Sequence, residues 1–162
     1  MARDETFERS VEIAAPVEAV YAFHLDTRNA AAISPRGTRI DRVTGRFPVT
    51  PGTVVTMRMR QSAFPVPVNW RVRIDAVEPP RRIVDVAERS PFRVWRHEHL
   101  FAALGPGRTL MTDRVAYRLP LGPLGRLAAP LARRQLAHAF AERHRLTRDL
   151  LEARAREAAG MP

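Results

Sequence analysis

Two histidines and two aspartates stand out in this sequence because their spacing would bring them together in an antiparallel sheet. His97 and His99 alternate in one apolar run, and Asp113 lies in the next run, after a Gly-Pro-Gly turn. Alternate residues of a strand project from the same face, so a hairpin closed at this turn sets His99 opposite Asp113. By the same counting, Asp85 on the preceding run falls near Trp95 or His97. Acids and imidazoles in contact can form a charge network, bind a metal ion or exchange protons.

Large apolar side chains on the same two runs indicate that this face is the interior one. Trp95 and Phe101 alternate with the histidines, and the hairpin register sets them opposite Tyr117 and Met111, respectively. Charged groups are rarely buried unless they are paired. The histidines and aspartates are therefore expected to contact one another inside the protein.

Four uses of this polar cluster are compatible with its residue types. A network of Asp–His and Asp–Arg contacts would fix the packing of a helix on the sheet. A few convergent polar groups in an apolar pocket would form the floor of a ligand site. His97, His99 and Asp113 could supply three metal ligands, but no fourth is evident, and we predict no metal. A histidine oriented by an aspartate could act as an acid or base, but no nucleophile lies beside it, and we predict no catalytic residue.

A long helix is predicted from Leu124 to Ala158, and the strands upstream are organised around it. At 100° per residue, Leu136 and Phe140 share an apolar side with several alanines and leucines. The stretch has no glycine after its second residue and is rich in strong helix formers. Pro130 is predicted to separate a short helical turn from the main helix.

Arg143 projects from the apolar side of this helix, where a charge requires a partner. We predict that it points inward and contacts Asp113 or Asp85, with one of the strand histidines in the same cluster. His144 and His138 are further groups on the helix that could reach the sheet.

The remaining pattern predicts an α+β domain with a meander sheet of about seven strands. Strands are predicted over 6–14, 38–44, 53–62, 70–77, 83–87, 92–104 and 109–119. Two short helices follow the first strand, the second capped by Asp26 or Thr27. Segment 64–68 contains two prolines and is predicted to be an apolar connection. We expect residues 1–162 to form a single domain.

Composition limits the class of protein and of partner. The net charge is +10, and all 27 basic residues are arginines, which are scattered among acidic residues and do not favour a nucleic-acid partner. The absence of cysteine excludes disulfide and thiolate chemistry. There is no glycine-rich phosphate loop or dinucleotide fingerprint, and we predict no cofactor. With no secretion signal or membrane-spanning run visible, a cytoplasmic location is expected.

Several motifs resemble those of the ligand-binding SRPBCC superfamily, the START-like and polyketide cyclase/dehydrase-type proteins. They are Trp70-x3-Ile74-x4-Pro79-Pro80-x4-Asp85, Pro91-Phe92-x2-Trp95-x-His97-x-His99-x-Phe101 and Thr109-x-Met111-x-Asp113-x-Val115-x-Tyr117-x-Leu119-Pro120. The resemblance is greatest to the cell-division-inhibitor-like branch, whose helix pattern Phe140-x2-Arg143 matches. It implies a helix-grip fold, in which a curved antiparallel sheet wraps around the long C-terminal helix and leaves a cavity between them.

The expected function is the binding of a small apolar or amphipathic molecule in this cavity, with no assigned reaction. One alternative is a cyclase, aromatase or dehydratase that acts on a polyketide-like substrate. The other is a lipid or quinone chaperone that contacts a membrane surface, which the positive charge would favour. The candidate ligand-binding residues are Trp70, Asp85, Trp95, His97, His99, Phe101, Met111, Asp113, Tyr117, Leu136, Phe140 and Arg143.

Overall fold

A computed structural model of the chain describes residues 4–62 and 64–160. Its elements are β1 (Glu5–Ile13), α1 (Val17–Leu25), a 3₁₀ helix (Thr27–Ala31), β2 (Thr38–Thr44), β3 (Val54–Gln61), β4 (Phe64–Glu78), β5 (Arg82–Arg89), β6 (Val94–Gly105), β7 (Arg108–Arg118) and α2 (Pro123–Ala158). The predicted α+β order, a strand, two short helices, six strands and a long helix, is confirmed. Asp26 caps the 3₁₀ helix by accepting a hydrogen bond from the Arg28 backbone N–H.

The strands form one antiparallel sheet in the order β1-β7-β6-β5-β4-β3-β2, which curves around α2 in a helix-grip arrangement. The predicted register of the β6–β7 hairpin is confirmed, as is the position of Asp85 on the neighbouring strand. The opposed pairs are Trp95 and Tyr117, His99 and Asp113, Phe101 and Met111, and Asp85 and His97. Buried and less buried residues alternate strictly from Val94 to Phe101, which defines the interior face of β6.

The prediction that 64–68 is a connection between strands is wrong, because these residues form the first part of β4. They pair with β3, beginning at Phe64 opposite Gln61. Strand β5 pairs with β4 only from Arg71 onward. In the described part of the chain, the two prolines therefore lie where β4 pairs with β3 but not with β5. An edge without a neighbouring strand does not need a backbone N–H donor, so proline is tolerated there.

Helix α2 is continuous from Pro123 to Ala158, so the prediction that Pro130 divides it is also wrong. An internal proline removes one backbone hydrogen bond and crowds the preceding turn. Pro130 is exposed and is flanked by alanines, leucines and arginines, whose high helix propensity favours continuation on both sides.

Two clusters of buried side chains attach the helices to the sheet. Tyr21 of α1 packs with Phe101, Met111 and Leu151, and this cluster fills one end of the fold. Phe140 of α2 packs in the second cluster, among aromatic side chains of β1, β6 and β7. None of the helices in the described ranges is both long and apolar enough to cross a bilayer.

Candidate functional site

A cavity of about 450 Å³ lies between the interior face of the sheet, α1 and α2. Its wall is contributed by every element from α1 to β6 and by the middle of α2. The lining residues include Phe23, His24, Ile33, Met57, Met59, Trp70, Ile74, Ile83, Asp85, Phe92, Trp95, His97, His99, Ala132, Leu136, Ala139, Phe140 and Arg143. Ser34, Pro35 and Val68 also line it.

Aromatic rings form one side of the cavity. Trp95 packs edge-to-face against Trp70 with ring centroids 5.1 Å apart, and Phe92 lies 4.7 Å from Trp95. These rings come from β4, β6 and the segment between β5 and β6, because the pleat turns every second residue of adjacent strands to the same side. The arrangement presents flat, polarisable surfaces that suit an aromatic or polyunsaturated molecule.

A polar cluster is centred on Asp113, behind another part of the wall, and reaches the cavity through His97 and His99. Asp113 is fully buried. His97 Nε2 donates to its Oδ1 at 3.0 Å, and His144 Nε2 lies 2.6 Å from its Oδ2. His99 Nδ1 is 2.6 Å from Oδ1 as an ion-pair contact, although the ring is too poorly aligned for a hydrogen bond. One carboxylate is therefore shared by three imidazoles.

The electrostatics of the cluster divide the histidines into charged and neutral groups. Burial would raise the pKa of Asp113, but His99 and His97 hold it well below its ordinary value of 3.8. Burial would lower the pKa of His99, but the Asp113 charge raises it to about 9. Burial, followed by the charge of His99, lowers the pKa of His97. Near neutral pH the metal-free cluster thus holds an Asp113 anion, a His99 cation and a neutral His97.

Two further polar atoms on the cavity wall are buried and have no hydrogen-bond partner in the described part of the chain. They are Nε2 of His24 and Nε of Arg143. His24 Nδ1 lies 2.8 Å from the Val20 carbonyl, so Nδ1 carries the proton and Nε2 is an acceptor. Burial, then the neighbouring His99, lowers the pKa of His24 to about 3, which keeps the ring neutral. This part of the wall therefore offers one free acceptor and one free donor.

The predicted contact of Arg143 with Asp113 or Asp85 is wrong. Arg143 lines the cavity, but among the described residues no ion pair or hydrogen bond joins its side chain to either aspartate. The partner of Asp113 on α2 is His144. Consecutive helix positions differ by about 100° in direction, so His144 faces β7 while Arg143 faces the cavity.

The other predicted site residues fall into two groups. Seven line the cavity: Trp70, Asp85, Trp95, His97, His99, Leu136 and Phe140. Four lie outside the cavity wall and are buried in the packing behind it: Phe101, Met111, Asp113 and Tyr117. Whether any of them binds a ligand stays a prediction. Alternation along a strand identifies the interior face but does not tell which interior positions are covered by other side chains.

His24 and Phe92 line the cavity and were not among the predicted site residues. The signal for His24 was present, since it lies on the inward stripe of the first predicted helix. Phe92 was predicted to begin the strand 92–104, where alternation sets it on the face opposite Trp95. It precedes β6, which begins at Val94, so the alternation of that strand does not apply to it.

Among known structures with a similar fold, Zhui aromatase/cyclase from Streptomyces sp. R1128 has a TM-score of 0.71 at 20% identity, covering 98% of this chain and 99% of that chain. A protein from Thermus thermophilus has a TM-score of 0.71 at 17% identity, covering 95% and 99%. Norcoclaurine synthase from Thalictrum flavum, in complex with dopamine and hydroxybenzaldehyde, has a TM-score of 0.66 at 12% identity, covering 92% and 87%. No curated protein matches the sequence.

Similarity at these identities establishes the fold, and a match to a family model establishes the family. The model described as polyketide cyclase/dehydrase and lipid transport matches residues 4–152, which is most of the chain. The finer resemblance to a cell-division-inhibitor-like branch stays a prediction. A sheet wrapped around a helix, a cavity between them and this match together place the chain in the polyketide cyclase/dehydrase and lipid transport family, within the SRPBCC superfamily.

Proposed function

We propose that the cavity binds a small, largely apolar and aromatic molecule that carries a polar group at one end. The observation that carries this proposal is the division of the cavity wall. Trp70, Phe92 and Trp95 form an aromatic surface, whereas His24 and Arg143 contribute polar atoms without partners. A volume of about 450 Å³ lies within the range typical of small-molecule sites.

The unpaired polar atoms support an amphipathic ligand over a purely apolar one. A buried polar atom without a hydrogen bond costs free energy, and a ligand group that pairs with it recovers that cost on binding. Nε of Arg143 can donate to a phenolate, carboxylate or carbonyl oxygen, and Nε2 of His24 can accept from a hydroxyl. Phenols and hydroxylated aromatic acids combine both features with a flat apolar ring.

A reaction on such a ligand is a second candidate function, and one observation favours it. His97, His99 and Asp85 line the cavity and do not lie behind it, so a bound molecule would meet titratable groups. The similar structures include an aromatase/cyclase, and the family description covers cyclases and dehydrases as well as lipid transport. The cavity itself supports binding. A turnover assay with a polyketide-like substrate tests whether the bound molecule also reacts.

The binding test uses the fluorescence of the two tryptophans on the cavity wall. Titration with anilinonaphthalene sulfonate, an aromatic anion, should change this fluorescence saturably. Ala139→Phe fills the cavity from α2 and should weaken binding at least about tenfold, which corresponds to about 1.4 kcal/mol. Ala128→Phe adds the same ring to an exposed position of α2 and should leave the affinity unchanged. Equal affinities of the two variants would show that the probe binds elsewhere.

A second pair of variants tests the polar end. Arg143→Gln should weaken binding of hydroxynaphthoate, which has a carboxylate, and leave binding of the neutral compound naphthalene unchanged. Arg134→Gln removes an exposed arginine of the same helix and should affect neither. A parallel loss for both compounds in Arg143→Gln would indicate a packing effect and contradict recognition of the acid.

A further inference from the structure

Asp85, His97 and His99 present three ligand atoms at one point of the cavity wall. His97 and His99 project from the same face of β6, and Asp85 lies opposite His97 on β5. Asp85 Oδ2 is 3.7 Å from His97 Nδ1 and 3.6 Å from His99 Nε2, and the ligand atoms all lie within 4.8 Å of one another. These separations are too long for hydrogen bonds. The two Asp85 separations are close to the roughly 3.3–3.5 Å between neighbouring ligands of a tetrahedral ion with bonds of about 2.0–2.1 Å.

Asp113 contacts both imidazoles on the side away from Asp85, through a hydrogen bond with His97 and an ion-pair contact with His99. It contacts Nε2 of His97 and Nδ1 of His99, the nitrogens that point away from Asp85. These contacts, at 3.0 and 2.6 Å, are shorter than those to Asp85, so we assign a ring proton to the nitrogen beside Asp113 in each case. His97 Nδ1 and His99 Nε2 are then the nitrogens that can face a cation. A histidine ligand whose other N–H is held by a carboxylate is the usual arrangement around protein-bound zinc.

We propose that Asp85, His97 and His99 bind a divalent transition-metal ion, such as Zn²⁺, and that its open coordination position faces the cavity. Two imidazoles and one carboxylate are a donor set that suits these ions. Imidazole binds a metal ion through a nitrogen that carries no proton, so the affinity for the ion should fall at low pH. All three ligands line the cavity, so a water molecule or an oxygen atom of a bound molecule can complete the coordination.

This site extends the proposed function but does not depend on it, because the ligand atoms are set by the β5–β6 pairing. Our sequence-based set of three ligands had Asp113 in place of Asp85. The structure reverses their roles, since Asp113 is fully buried behind the histidines whereas the Asp85 side chain, 15% exposed, borders the cavity. The competing interpretation is a purely structural network of histidines and aspartates.

The metal site and the structural network predict different results in a titration with Co²⁺. The visible spectrum of Co²⁺ reports its coordination number. The chelator-treated protein should bind a single Co²⁺ ion with the strong absorption of a four- or five-coordinate site. The chain contains no cysteine, so thiolate ligands cannot produce this signal. Asp85→Asn keeps the shape of the side chain but removes a ligand. Mutation of a residue that only supports a metal ligand typically weakens binding about 10- to 100-fold, and Asp85→Asn should weaken Co²⁺ binding by more than this. His138→Ala and Asp149→Asn remove exposed groups on α2 and should leave the titration unchanged.

A protein that gives only the spectrum of hydrated Co²⁺, or an Asp85→Asn variant that binds as tightly as the parent, would overturn the proposal. Circular dichroism establishes whether the variant is folded. If the variant is unfolded, nuclear magnetic resonance of the parent protein tests the proposal instead. Co²⁺ should then shift the imidazole signals of His97 and His99 strongly and those of exposed His138 little. Uniform broadening of all the histidine signals would also overturn the proposal.

Discussion

At the scale of single residues, Asp113 determines how the interior of this protein is charged. It is fully buried, and the imidazoles of His97, His99 and His144 converge on its two oxygens. Without its negative charge, the His99 cation would lose its nearest counter-charge, at 2.6 Å, and keep only Asp85, at 3.6 Å. We had predicted Arg143 as a partner of this carboxylate, and the structure places three histidines there instead.

Asp113→Asn is therefore expected to destabilise the fold by about 3–5 kcal/mol, as for other variants that leave a buried charge without its partner. The measurement is the free energy of unfolding from urea titration. Asp149→Asn, at a half-exposed position of α2, should cost at most about 0.5 kcal/mol. A small loss in Asp113→Asn would show that the histidines are neutral and that the aspartate carries no pairing role.

At the scale of elements, two halves of α2 serve different purposes. The second half carries Phe140, Arg143 and His144, which face the aromatic core, the cavity and Asp113, respectively. The first half begins with three leucines, Leu124, Leu127 and Leu131, that are 61 to 81% exposed. Pro130 lies within the first half, between Leu127 and Leu131. The first two turns thus have little tertiary packing to hold them, and their stability depends on local helix propensity.

Pro130→Ala is expected to restore the missing backbone hydrogen bond and stabilise this first half. Inside a helix, proline costs about 3 kcal/mol of stability relative to alanine. Because the exposed leucines do not pack on the rest of the protein, the substitution should stabilise mainly the first half of α2 and not the whole fold. Amide exchange over residues 124–134 should become slower, with a smaller increase in global stability. Pro16→Ala, at the N-cap of α1, is the control and should not change exchange in α2. Unchanged exchange in Pro130→Ala would contradict a local cost of the proline.

At the scale of the whole molecule, the distribution of charge is compatible with contact with a membrane surface. The chain carries a net charge of +10. On the outer face of the sheet many arginines are paired with acids, as in Arg114–Glu8 and Arg96–Asp75. The exposed leucines of α2 adjoin two exposed arginines, Arg133 and Arg134, and Ala132 beside them lines the cavity. Apolar and basic side chains near the cavity are the features of a surface that exchanges a ligand with an anionic bilayer.

We predict that the protein binds phosphatidylglycerol vesicles at low salt and is released as salt screens the attraction. In a sedimentation assay, Leu127→Gln should weaken this binding several-fold. Leu104→Gln, in the β6–β7 hairpin, also removes an exposed leucine and serves as the matched control. Equal losses in both variants, or no binding to these vesicles, would argue against a membrane-surface role and leave the cavity proposal intact.

Most of the fold could be predicted from the sequence, because it depends on local patterns. Alternation marked each strand and its interior face, and the glycine turn set the register that brings His99 opposite Asp113. The same logic failed at the start of β4. A proline is tolerated in a strand with one neighbour and excluded from one with two, and the number of neighbours is a property of the finished sheet.

Which interior residues contact one another and which line the cavity could not be predicted from the sequence. Each residue of a helix turns the side-chain direction by about 100°, so the sequence gives the directions of the side chains relative to one another. It does not give how the helix is rotated over the sheet. That rotation puts His144 rather than Arg143 on Asp113. It also leaves Asp85 and Arg143 on the cavity wall while Phe101, Met111 and Tyr117 are packed behind it. Such contacts join residues far apart in the chain, and they depend on how side chains fill a shared volume, which no local pattern specifies.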